Sequence, residues 1–213
     1  MREAPVERIL FPGAFNYSKA NNLGVKHSPG EYLVFLNNDI EVLTPNWIDQ
    51  FLYYLEQPDI GAVGALLLFP DGTVQHGGVA LGCRGTADHV MRQMPDCDGY
   101  AGSLSCAREV SAVTAACLMI RRALYEEIGG FNEHFFTHYQ DVDLCLKLRA
   151  RGKRIIFTPH ARFVHHESLS RGKYYDLVDR NLLLDFWEPT IKKGDPYYNS
   201  NFNIDTLDYA LNT

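Results

Sequence analysis

Two uninterrupted apolar runs of strand length, Tyr32-Leu33-Val34-Phe35-Leu36 and Ala62 to Phe69, constrain the fold most tightly. A strand with one wet face alternates apolar and polar residues. A run without alternation suits a strand covered on both faces, as in parallel sheets. Helical stretches lie around these runs. Tyr17 to His27 places Ala20, Leu23 and Gly24 on one face and is broken by Ser28-Pro29-Gly30. Thr44-Pro45 offers an N-cap and first-turn pair for a helix reaching about Glu56.

Further along, Pro70-Asp71-Gly72 reads as a turn and Thr73 to Leu81 as a returning strand. Residues 82 to 109 show no period, and a loop that long in a compact domain is often functional. Val113 to Ile120 is another strand, and Arg122 to Ile128 a short helix ended by Gly129-Gly130. Asp141 to Ala150 is the clearest helix, with Leu144, Cys145 and Leu148 as its stripe. Arg154 to Phe157 reads as a short strand stopped by Pro159, and one helix follows from about Lys173. The alternation predicts an α/β fold with a mostly parallel sheet and flanking helices.

Composition removes several alternatives. The 213 residues suffice for one large domain, and 46% are apolar against 22% charged. A net charge of −6 argues against broad nucleic-acid binding, which needs a basic face. The longest apolar run, Ile60 to Phe69, is too short to span a bilayer. Charges within Met1 to Leu10 are unlike a signal peptide. Five cysteines with no CxxC pair argue against a disulfide framework or structural zinc and point to a reducing cytoplasm.

Three clusters could carry chemistry. Asn37-Asn38-Asp39 follows directly on a strand, where ligands bind in open α/β sheets. A carboxylate beside amides suits a divalent cation holding phosphate oxygens. These residue types also favour turns for local reasons, and the triplet alone fits a turn better. Gln140-Asp141-Val142-Asp143 opens a helix, and its acids match the helix dipole or provide a general base. Asp143 is the better candidate for the structural role. In His165-His166-Glu167, adjacent strand residues face opposite ways, so at most one imidazole reaches a shared site. The glycines of His76-Gly77-Gly78 suit backbone turning. GxGxxG, P-loop and GxSxG motifs are absent.

Taken in order, residues 15–42, 73–82, 113–122, 128–159, 164–172 and the ending "DPYYNSNF" resemble family 2 glycosyltransferases of the GT-A fold. The bacterial rhamnosyltransferase-like group that builds surface polysaccharides is the most similar. The resemblance covers about residues 9 to 203. It implies that Asn37, Asn38 and Asp39 occupy the D-x-D site for diphosphate and metal, Asp39 being its last acid. It further implies that Asp141 is the catalytic base, that His165 adds a metal contact, and that Gly129-Gly130-Phe131 is the acceptor-side segment. Asn37 removes a charge from that site, and Gln140 stands where the family often has an acid or Asn.

The implied reaction is inverting transfer of a sugar, rhamnose by the resemblance, from a nucleoside-diphosphate sugar to a glycan or lipid-linked acceptor. Mn or Mg would assist. Asp39, Asp141 and His165 are expected to line one cleft at the C-terminal edge of the sheet. The family's opening nucleotide-binding units have no counterpart here, so residues 1–170 read as the back of a GT-A domain and 171–213 as a helical tail. The missing segment or a second copy would be a partner. A peripheral contact with the inner membrane face would fit lipid-linked acceptors, although the nearly balanced charge around Tyr174 to Trp187 supports no electrostatic anchor. A non-catalytic remnant or partner subunit is the alternative, and a metal-dependent hydrolase stands third.

Overall fold

The computed structural model describes residues 6–166 and 173–212, the side chains of 173–176 excepted. Helix α1 (Tyr17–His27) starts at Asn16, whose side chain accepts from the Lys19 N–H at 2.8 Å. Lys26 and His27 complement the negative end of the helix. Strand β1 (Tyr32–Leu36) and the short β2 (Ile40–Val42) follow. Helix α2 (Trp47–Leu55) begins later than Thr44-Pro45 suggested. The Thr44 hydroxyl instead accepts from the Arg162 N–H at 3.1 Å, so tertiary pairing takes the cap.

Strand β3 (Ile60–Leu68) is buried at every position. Ala62, Leu66 and Leu68 enter one apolar core and Val63, Ala65 and Leu67 the other, as a period of two requires, while Ile60, before a register shift at Ile60/Ala62, joins the second. Gly64 is fixed by packing: a Cβ there would lie 2.4 Å from Val113 Cβ. After the 69–73 turn, β4 (Val74–His76) pairs back on β3. Gly77 and Gly78 then divert the chain. Gly78 has φ +96°, and a Cβ on it would meet Val110 Cγ1 at 2.8 Å. The predicted returning strand therefore splits, and β5 (Val79–Leu81) forms a separate hairpin with β6 (Ala87–His89). The supposed loop 82–109 thus holds β6, two 3-10 turns and the start of β7 (Arg108–Val110).

Strand β8 (Cys117–Arg121), helix α3 (Arg122–Glu127), helix α4 (Gln140–Ala150) and strand β9 (Arg154–His165) complete the layer. The main sheet runs β1-β8-β3-β9-β2, with β4 on β3 and β7 on β9. The α/β class with flanking helices holds, but the mostly parallel sheet does not. Among the described residues only β3 and β9 pair parallel; β1·β8, β3·β8, β2·β9, β3·β4 and β7·β9 are antiparallel. Two-sided burial makes a strand apolar whatever its neighbours' directions. It also fails for β1, which lies at the sheet edge: Leu33 and Phe35 are buried, whereas Val34 and Leu36 are exposed.

Strand β9 does not stop at Pro159. Thr158 lies opposite Ala65 and Arg162 opposite Leu66, so Pro159, His160 and Ala161 form a bulge. A proline costs no ladder hydrogen bond there. Helix α5 (Lys173–Ile191) and the following residues share the larger core through Leu183, Ile191, Tyr198 and Leu207. No helix among the described residues is long and apolar enough to cross a membrane.

Candidate active site

The antiparallel pairing of β1 with β8 sets the site. The ladder runs one residue past β1, with the Asn37 N–H donating to the Ala116 carbonyl at 3.0 Å. The chain then turns, and Asn38 is exposed. Asn37 and Asp39 both reach the end of β9. Asn37 Nδ2 is 3.2 Å and Asp39 Oδ1 3.1 Å from His165 Nε2. His165 is buried between them and Gln75 of β4, itself buried. Its Nδ1 lies 2.6 Å from Gln75 Oε1, and Gln75 Nε2 donates to the His165 carbonyl at 3.3 Å.

An amide oxygen only accepts, so Gln75 draws the ring proton to Nδ1 and aims Nε2 at Asp39. The carboxylate oxygen and Nε2 are both acceptors when the ring is neutral. A second proton or a cation between them resolves the opposition. One carboxylate oxygen and one imidazole nitrogen suit a divalent ion whose remaining positions are filled by phosphate or water. Among the described residues no group of three or more His, Cys, Asp or Glu side chains could hold a metal by itself. His166 faces the other way, 3.6 Å from Glu41, as the pleat demands. Glu167 lies outside the described residues.

Asp141 sits in the first turn of α4. Its Oδ2 accepts from the Ala115 N–H at 3.0 Å and its Oδ1 from the Val142 N–H at 2.9 Å. A carboxylate so held is fixed in direction and able to take a proton. Asp143 is buried and structural: it accepts from Trp187 Nε1 at 2.8 Å and pairs with Lys147 at 3.2 Å. Asn37 and Asp141 line one cleft of about 550 Å³. Asp39 and His165 adjoin it through Asn37 rather than lining it. Gly129-Gly130-Phe131 closes α3, where the Gly130 N–H donates to Tyr125 and the Phe131 N–H to Asn22. Cys83 also lines the cleft, but burial, with Asp88 adding, pushes its thiol up to about 11, which makes it a poor nucleophile near neutral pH.

Sequence reading missed two supports. Gln75 is one. The other is Asp179 of α5, fully buried, whose carboxylate accepts from the Phe136, Thr137 and His138 N–H groups at 2.9 Å each. It pins the segment leading to Tyr139, whose φ of +60° starts α4 and thereby places Asp141. No local pattern marks an acid on a helix 38 residues after Asp141. Replacing Asp179 by Ala strands three partly buried donors, at about 1 kcal/mol or more each, so an unfolding midpoint shift equivalent to a few kcal/mol is expected in urea.

His76, fully buried behind the cleft-lining His89 and Thr114, is paired Nδ1 to Nδ1 with His89 at 2.8 Å and accepts from the Thr114 N–H at 3.4 Å. Burial, with His89 and Arg108 adding, holds it well below the ordinary 6.5. The unfolded chain therefore binds a proton that the folded chain refuses. Stability is full above about pH 6.5 and falls as pH drops below it, by up to ~1.4 kcal/mol per pH unit. Melting temperature measured from about pH 7.5 to 5 should fall less steeply in His76→Gln.

The geometry has relatives. The model of "Glycosyltransferase like family 2" matches residues 12–183. The chain belongs to that family. O-antigen biosynthesis protein RfbC of Myxococcus xanthus is 40% identical over 213 residues, which take in 96% of this chain and 16% of that protein. N-acetylglucosaminyl-diphospho-decaprenol L-rhamnosyltransferase of Mycobacterium tuberculosis (strain ATCC 25618 / H37Rv) is 27% identical over 152 residues, 67% of this chain and 49% of that one. The family 2 chain thus spans less than half the length of either relative. The crystal structure of GalNAc-T7 with UDP, GalNAc and Mn2+ superposes with a TM-score of 0.63 at 14% identity, covering 81% of this chain and 35% of that one. That likeness gives the family 2 chain the GT-A glycosyltransferase fold.

Proposed function

We propose that the chain supplies the diphosphate end and the general base of an inverting sugar transferase. The donor would be a nucleoside-diphosphate sugar, with rhamnose the leading identity, and the acceptor a saccharide or lipid-linked saccharide. One observation carries the reading: the Asn37–Asp39–His165 cluster, at the end of β1 and β9, adjoins the cleft that Asp141 lines. The name of the mycobacterial relative favours rhamnose, and the manganese in the GalNAc-T7 structure favours a divalent ion.

Asp141 would take the proton from the acceptor hydroxyl as its oxygen attacks the anomeric carbon from the face opposite the leaving diphosphate. Its two backbone donors fix its direction, and Asp179 fixes the segment before it. Asp39 and His165 would hold manganese or magnesium, which when bound neutralises charge on the departing diphosphate. Gln75 would keep the His165 tautomer that leaves Nε2 for the ion.

Calorimetric titration with UDP, GDP and dTDP, with manganese and then with excess EDTA, tests this. At least one diphosphate should bind with manganese and lose its heat on chelation. Absence of binding in every titration would overturn the proposal.

A further inference from the structure

We infer that the side-chain amide of Gln140 is a contact for the acceptor sugar, gripping two neighbouring hydroxyls beside Asp141. This deepens the transfer reading and rests on it. Three polar side chains stand in the first turn of α4. Asp141 is satisfied by two backbone N–H groups, and Asp143 by a hydrogen bond from Trp187 on one oxygen and the Lys147 charge beside the other. Gln140 differs. It is 6% exposed and lines the cleft, yet its Oε1 is shut from water with no hydrogen-bond partner among the described residues.

A buried amide left unsatisfied destabilises a fold, and folded chains keep only a few such groups. The chemistry of the group says what would satisfy it. A primary amide offers an acceptor oxygen and N–H donors side by side. A phosphate or carboxylate could use only the donors, and a cation only the oxygen. A pair of adjacent hydroxyls on a sugar ring presents a donor and an acceptor at matching separation and satisfies both. In this fold the oxygen is turned from the cleft, and a partial rotation about the last side-chain bond, a soft torsion, would present oxygen and nitrogen to the cleft together. Being one residue before Asp141, the amide would orient the ring whose hydroxyl that carboxylate deprotonates. Gln140 is thus a positioning residue that selects among acceptors.

The test compares wild type with Gln140→Leu, which keeps the bulk and removes the amide. Melting temperature should rise by a few degrees, because an unsatisfied group is gone. Saturation-transfer NMR with methyl glycosides of glucose, galactose, N-acetylglucosamine and rhamnose, in the presence of UDP and manganese, should show at least one ligand whose signal falls tenfold or more in the variant. Diphosphate affinity should stay within twofold. A lowered melting temperature, unchanged glycoside signals, a wild type that binds none of the four, or parallel loss of diphosphate affinity would each overturn the assignment. Failure of the transfer reading shows separately, as absence of any metal-dependent diphosphate binding in wild type.

Discussion

Replacing Asp141 by Asn is expected to lower the rate of sugar transfer by about 10³-fold while leaving diphosphate affinity within twofold of wild type. The substitution keeps size and shape. Its amide oxygen can still accept from the Ala115 N–H, so the start of α4 stays in place. What disappears is the capacity to take a proton, and a general base contributes roughly 10²–10⁴ in rate. The Asn37–Asp39–His165 cluster is built from β1 and β9 and does not depend on that carboxylate. Rates with a saturating nucleotide sugar, set beside calorimetry with the matching diphosphate, separate the two effects. Equal losses in both would remove Asp141 from the role of base.

Asp39→Ala and His165→Ala should each abolish the manganese-dependent part of diphosphate binding, a loss of 100-fold or more in apparent affinity. Among the described residues the cluster offers one carboxylate and one imidazole to an ion, so neither can be spared. Gln75→Leu should act more gently, by about 10–100-fold, because it frees the imidazole to turn rather than removing it. Raising manganese should restore binding in Gln75→Leu and not in the two alanine variants. If all three variants bind the diphosphate as wild type does, the cluster is a structural knot and the ion sits elsewhere.

Why some of this was legible beforehand follows from range. The 17–27 helix and the 60–68 strand announce themselves because a helix stripe and an apolar run are local patterns. Asp143 could be set apart from Asp141 as the structural acid, although its partner Trp187 lies 44 residues away. Strand direction was not legible, since an apolar run records coverage and not the neighbour's polarity. Pro159 misled for a related reason: it breaks a regular ladder, but the bulge at 159–161 had already suspended the ladder there. Gln75 and Asp179 were silent because each earns its place through contacts roughly 40 to 90 residues away.

That bulge has a consequence for chemistry. Side chains along a strand take sides by turns, like alternate teeth of a saw set left and right. Three extra residues are spliced between Thr158 and Arg162, an odd number, and everything downstream has its handedness assigned by that oddness. It is the splice, some distance from any reacting atom, that decides whether His165 or His166 is offered to Asp39. A slip of one residue in the register that resumes after the splice would turn the wrong imidazole inward with every strand still in its place.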